Sequence, residues 1–443
     1  MASAAFAQEP QYSSEAALAH LEHLAGRIGE RPAGTEGEAL AIDYIKNKFI
    51  SWGLKTSLVP VKVPVWHERR VRLWVEGKPL RDFVAKSVVF SGRTAPEGVT
   101  GEFIDLGPAR PEDIAGRDLK GKIALIQRDV YMEYPDIALT DRLAQTGIAG
   151  LIFYSSPGRK GLPTVYYNFK RALQEPTPPA VVISHEDAMQ LARQGEGVRI
   201  GMTVRADVEW SQSHSVVGDV TGTVKPKEIV VIAAHNDTAY TSPGATDDTG
   251  GVSVVMELAR AFASARKPER TLRFIAWGGH ELGLAGSEAY LRERAADTAN
   301  TVAYINYDIV GGPLGEVMWG SAGDPAFQQF VETTARQAGL KGFGGTGVTN
   351  TEATTFGALE VPSISLVAGG ANENHTPWDN LSLVSASGLK EPLTIGAALL
   401  KALGYNSRAT FSHRFPSEIL NPVREDAAKY GWGIRPEANR PPR

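Results

Sequence analysis

The chain contains no cysteine in 443 residues. That absence excludes disulfides, thiolate nucleophiles, iron–sulfur clusters and cysteine-held structural zinc, so any metal must sit on His, Asp or Glu. No apolar run approaches the roughly 18 residues of a membrane-crossing helix. Positive charge is not in excess either. Lys and Arg number 46 against 50 Asp and Glu, a net charge of −4, so no broad basic field draws nucleic acid or an anionic membrane surface. What is present is ordinary for a globular protein: 42% hydrophobic and 22% charged residues, enough for a sizeable core. At about 150 residues per domain, this length allows three units or two large ones.

The N-terminus reads MASAAFAQ, and Ala5-Phe6-Ala7 before Gln8 has the form of a signal-peptide cleavage site. The basic and long apolar regions of such a leader are missing, so residues 1–13 read as a leader remnant or a disordered terminus. The first reading implies a periplasmic or secreted protein, the second a cytoplasmic one. Residues 405–443 carry Pro416, Pro422, Pro436, Pro441 and Pro442 with several arginines. They read as an extended arm that packs on the body or reaches a neighbouring subunit. That arm or the inserted domain described below would be the route to a homo-oligomer.

Helical spacing is clear at 14–29 (Ala17, Leu18, Leu21, Leu24, Ile28) and at 36–52 (Ile42, Ile45, Phe49). Thr35-x-x-Glu38 predicts a capping box at the start of the second helix, and Gly53 its end. Residues 80–210 read differently, as short strands such as Lys122-Ile-Ala-Leu-Ile and Gly150-Leu-Ile-Phe-Tyr set between glycines and prolines. They are assigned to a separate, mostly-β domain inserted between 14–79 and 211–404. From about 215 strands and helices alternate. Strands at 229–234, 272–277, 302–307 and 363–367 are followed by helices near 250–265, 284–294, 325–338 and 386–403. The fold class is therefore α/β, a mainly parallel doubly wound sheet covered on both faces. Sites in such sheets lie beyond the carboxyl ends of the strands.

The acids and histidines gather at those ends. His235-Asn236-Asp237 and then Asp247-Asp248 follow the first strand, His280-Glu281 the second and Asp308 the third; His375 comes after the fourth. Two of these histidines and three of these carboxylates, converging on one crevice, suit borderline to hard divalent metals. Five protein donors are too many for one tetrahedral zinc, but enough for two that share a carboxylate and a water. His20, His23, His67, His185 and His413 have no such placement and read as surface or packing residues; His214 reads as structural.

The segments HND (235–237), GATDDTGG (244–251), GGHELGLAGS (278–287), INYDIVG (305–311) and HTPWDN (375–380) resemble, in order and spacing, the motif set of the dizinc aminopeptidases and their glutamate carboxypeptidase-like relatives. The stretches Leu119–Ile126 and Gly147–Tyr154 resemble the protease-associated domain often inserted in that family. The resemblance implies two Zn2+ ions, other divalent metals being alternatives. It assigns His235 and Asp308 to one ion, Glu281 and His375 to the other, and Asp247 to both. It also implies Asp237 as the carboxylate orienting the His235 ring, and a cis peptide between Asp247 and Asp248.

Two positions depart from the family. It usually reads Glu-Glu where this chain has His280-Glu281, the first Glu being the general base. His280 in that place is a substitute base, the mark of altered chemistry on a non-peptide amide, or the sign of a metal-bearing binding module. Relatives often carry Ser-Asp-His where this chain reads Thr351-Glu352-Ala353, ahead of Phe356. Glu352, Phe356, Glu373 and Trp378 are the candidate substrate contacts. The expected activity is zinc-dependent hydrolysis of an amide bond in a small peptide or N-acyl amino acid, by a water activated between two metals.

Overall fold

The computed structural model describes residues 9–429, apart from 78–80, 128–136, 155–156, 159, 168, 175, 313–315, 343, 349 and 370–371. The signal-like residues 1–8 lie outside the described residues. Contacts divide the chain into two compact units. One takes the chain up to Val63, Ser211–Asn374 and everything from Asp379; the other takes Pro64–Trp210 and the short stretch His375–Trp378. The second unit begins at Pro64 and not at 80, because a long strand, Lys55–Val75, runs through the boundary and its later part pairs with Arg81–Phe83.

In the first unit the chain enters through α1 (Ser14–Leu21), which continues as a π-type turn to Ile28, and α2 (Glu36–Ser51). The predicted capping box does not form. Thr35 makes no capping bond, and Glu38 turns inward instead, accepting from the Gly34 N–H and the Ser213 hydroxyl (both 2.6 Å). The sheet then follows: β1 (Arg199–Val220, whose part from Ser211 belongs here), β2 (Lys225–His235), β3 (Arg270–Trp277), β4 (Thr301–Tyr307), β5 (Val317–Ala322), β6 (Gly344–Thr346) and β7 (Ser363–Ala368). Their spatial order is β6-β5-β7-β4-β2-β3-β1. The four predicted strands form the parallel centre β7-β4-β2-β3, and the two antiparallel steps fall outside it, at β3/β1 and β5/β7. Every residue of β3 is buried, Arg270 and Arg273 included, so the strand shows no alternation of buried and exposed residues.

The helices α3 (Gly250–Ala263), α4 (Ala285–Glu293), α5 (Pro325–Gln337), α6 (Glu352–Ala358) and α7 (Ala386–Gly404) connect or follow the strands. The stretch expected as an extended arm contains α8 (Ser417–Lys429). Leu420, Val423 and Ala427 are buried at helical spacing, so a single apolar face is enough to fix this helix despite Pro422 inside it. In the second unit strands predominate, with Val99–Asp105, Ile123–Gln127, Gly150–Tyr154 and Ala180–Val182 in parallel register and short helices between them. Among the described residues no helix is long and apolar enough to cross a membrane.

His20 is a packing residue, as its sequence position implies, with Nδ1 2.8 Å from the Tyr44 hydroxyl and its ring edge-on to Trp52. Burial, helped by Lys48 and Arg260, pushes its imidazole down to about 4. The unfolded chain therefore binds a proton, between pH 6.5 and 4, that the native state does not. Stability falls as pH drops through this window, by about 3 kcal/mol at pH 4, and is unaffected by this group above it. Unfolding midpoints measured from pH 7 to 4 should fall less steeply for His20→Gln than for the parent chain.

Candidate metal centre

Three neighbouring strands of the parallel centre each bring donors to one crevice. β2 ends on fully buried His235, whose Nδ1 lies 2.9 Å from the Asp237 carbonyl oxygen and whose Nε2 lies 3.0 Å from Asp247 Oδ1. A ring that donates from Nδ1 to a carbonyl presents Nε2 as its lone-pair nitrogen. Burial opposes charge on this ring, but hydrogen bonding and attraction from Asp247 and Asp308 hold it well above its ordinary value.

Asp247 and Asp248 follow in a turn joined by a cis peptide, as the resemblance implies. Asp248 points away from the crevice, its carboxylate accepting from the backbone N–H groups of His235 (3.3 Å) and Gly251 (3.0 Å). The turn packs so closely that a Cβ on Gly250 would lie 2.0 Å from the Val310 carbonyl oxygen. Glycine there lets the loop after β2 approach the loop after β4, where Asp308 sits.

After β3, the backbone N–H groups of His280 and Glu281 donate to the two oxygens of Asp237 (2.9 and 3.0 Å). The resemblance implies that the Asp237 carboxylate orients the His235 ring. The ring instead meets the Asp237 main-chain oxygen, and the carboxylate, 3.9 Å from Nδ1, anchors the His280-Glu281 turn. The His280 ring stacks face to face on His235, with centroids 3.8 Å apart and planes at 8°. Its Nδ1 lies 2.9 Å from Glu352 Oε1 and its Nε2 3.8 Å from Asp308 Oδ2. Burial opposes its charge, but the Glu352 carboxylate pushes the imidazole up to about 10 in the polypeptide alone. His235, His280 and Asp308 each offer a donor atom within 4.8 Å of the other two.

Buried carboxylates at or around this crevice are Asp237, Asp247, Asp248, Glu281, Asp308, Glu352 and Asp379, and the buried guanidinium among them is Arg31. Burial pushes Asp237 and Asp379 up to about 6, with neighbouring acids adding to it, and Asp248 well above the usual range. So much desolvated negative charge fits a site completed by divalent cations, and the mixture of imidazole and carboxylate donors suits zinc.

Two residues that hold the loops have no role in the sequence reading. Asp379 takes the Thr246 N–H and hydroxyl on Oδ1 (both 2.8 Å) and the Asp247 N–H on Oδ2 (3.1 Å). Arg31 is wholly buried and donates to the carbonyls of Leu24, Gly29, Asn236 and Pro243 and to the Thr249 hydroxyl. It thereby ties the His235 loop to the Asp247 loop. The only local signal for either was their company, Asp379 inside HTPWDN and Arg31 between Glu30 and Pro32.

The remaining candidates divide. Glu352, at the start of α6, is 1% exposed and faces His280. Phe356 is fully buried and stacked on Tyr304 (4.0 Å, 10°), with Trp277 and Tyr290 beside it, so it is packed in an aromatic core. Glu373 is half-buried. His375 and Trp378 fall in the second unit. There His375 is buried, its Nδ1 3.2 Å from the Thr164 carbonyl oxygen and its own carbonyl accepting from the Thr164 N–H, while Trp378 is half exposed.

Histidines and carboxylates beyond the strand ends of a doubly wound sheet make a candidate metal centre. Residues 215–399 match the profile of Peptidase family M28. Aminopeptidase YwaD of Bacillus subtilis (strain 168) is 26% identical over 86% of this chain and 76% of its own length. Carboxypeptidase Q of Bos taurus is 25% identical over 65% of this chain and 63% of its own. The solved structure of BSAP, a zinc aminopeptidase from Bacillus subtilis, superposes with a TM-score of 0.74 at 23% identity, covering 92% of this chain and 99% of that one.

Proposed function

We propose that this chain is a zinc-dependent hydrolase of an amide bond near the end of a small peptide or of an N-acyl amino acid, working with two metal ions. The observation that carries the reading is the convergence of His235, Asp247, Glu281 and Asp308 in a crevice whose buried negative charge exceeds its positive charge. His235 and Asp308 are the proposed donors to one ion, Glu281 and His375 to the other, and Asp247 to both. His375 keeps the place the resemblance gives it, within HTPWDN.

When bound, the metals would polarise the scissile carbonyl, acidify the attacking water and disfavour an imidazolium at His280. His280 takes the water's proton on Nε2 and returns it to the leaving amine. Asp237 fixes the backbone from which both His280 and Glu281 project. The relatives include an enzyme named for each terminus, so the direction of attack is left to experiment.

The deciding measurement is hydrolysis of a panel of free-amino, amino-blocked and carboxy-blocked substrates, with zinc and after chelation. Zinc-restored cleavage of one class establishes the reading and names the terminus. Full folding with no bound metal and no cleavage of any class would instead make the chain a binding module. His280→Ala should lower kcat about 10³-fold while zinc content stays at the parent value, and unchanged turnover would remove His280 from the base position.

A further inference from the structure

We infer that Glu352 serves the reaction through His280, as a positioning residue, and does not contact substrate; this rests on His280 being the proton acceptor proposed above. His280 is constrained at three places. Its backbone N–H is held by Asp237, its ring face lies against His235, and its Nδ1 meets Glu352 Oε1 at 2.9 Å. The first two fix where the ring sits, but neither distinguishes one ring nitrogen from the other. Glu352 does. An ionised carboxylate can only accept, so the shared hydrogen belongs to Nδ1, and in the neutral ring it is Nε2, 3.8 Å from Asp308 Oδ2, that carries the lone pair.

The local build of Glu352 suits that task and no other visible one. It opens α6 and is 1% exposed, with the cap of the helix already supplied by the Thr351 hydroxyl, which accepts the Ala353 N–H. A carboxylate is therefore not needed there to start the helix. Its second oxygen, Oε2, is buried with no hydrogen-bond partner among the described residues. Burying a half-satisfied carboxylate is costly, and a purely structural role would be filled more cheaply by an apolar side chain. The compensation is the oriented imidazole. In the proton transfer the Nδ1–H···Oε1 bond persists throughout. The proton from water goes to Nε2 and then to the leaving nitrogen, and Glu352 neither gains nor loses one.

The experiment uses the full chain loaded with zinc, in four forms: Glu352→Ala, Glu352→Asp, His280→Ala and the double variant His280→Ala/Glu352→Ala. Glu352→Ala should lower kcat about 10²-fold with KM within about threefold, and Glu352→Asp should recover part of the loss. The double variant should be no slower than His280→Ala alone, since Glu352 has nothing left to position. Histidine 15N NMR should show His280 protonated at Nδ1 in the parent and a mixture of tautomers in Glu352→Ala. A raised KM with unchanged kcat would make Glu352 a substrate contact, and a double variant slower by the product of the two losses would make it independent of His280. Either result, or an unaltered tautomer, overturns the inference. Should Glu352→Ala misfold, Glu352→Asp and its double with His280→Ala carry the same comparison. Should the parent chain hydrolyse nothing, the proposed activity fails, while the NMR result still decides whether Glu352 sets the His280 tautomer.

Discussion

Asp247→Ala is expected to lower hydrolysis by about 10⁴-fold or more, and no excess of zinc should restore it. The proposed bridging carboxylate serves both ions, so its loss removes both anchors together, and about 5.5 kcal/mol of barrier lowering is within what metal activation supplies. Asp379→Ala provides the contrast. Asp379 holds the Thr246 and Asp247 backbone from behind and donates nothing to the crevice, so its removal loosens the donor without deleting it. Zinc affinity should drop about 10- to 100-fold, and activity should return when zinc is in excess. Kinetics at limiting and saturating zinc, with bound zinc measured on the same samples, separate the two. An identical response of both variants to added zinc would dismiss the bridging role of Asp247.

Arg31→Met should be the most destabilising single substitution near the site, by about 4 kcal/mol. The change removes the donor from four carbonyl oxygens, two of them in fully buried bonds, and from the buried Thr249 hydroxyl, each costing up to roughly 1 kcal/mol as an unmet acceptor. It also deletes the cation whose charge faces Asp237, Asp379 and Glu38. Arg31→Lys should rescue little, because an ammonium has three donors where the planar guanidinium reaches five acceptors. Urea unfolding gives the measurement, and a midpoint for Arg31→Met within error of the parent would show that these bonds contribute nothing net.

The parallel centre of the sheet was legible because strands buried on both faces are mainly apolar and alternate here with helical stretches, as at 229–234, 272–277, 302–307 and 363–367. The donors were legible because they gather in the segments that end or follow these strands. What escaped notice acts across long stretches of chain. Arg31 bonds Asn236, Pro243 and Thr249, and Asp379 bonds Thr246 and Asp247, more than 130 residues away in sequence; no local period records such a partner. Glu38 matched a capping box in spelling, but Ser213, 175 residues on, competes for its carboxylate. Phe356 looked like a pocket residue beside Glu352, yet one turn of α6 is enough to carry it into the aromatic core. The helix α8 was hidden by its prolines, since three buried apolar residues are too few to outweigh them in a window of sequence.

The guanidinium of Arg31 has a consequence for anyone who would transplant this catalytic apparatus. The stretch that carries the family likeness, 215–399, holds every candidate donor, so it looks like a self-sufficient cassette. Its two most important loops are nonetheless fastened together from residue 31, and Glu38 meets Ser213 just ahead of the same stretch. A chimera cut at the limits of the likeness would inherit the chemistry without its clasp. The portable module is discontinuous, and must bring the opening helices along with the sheet.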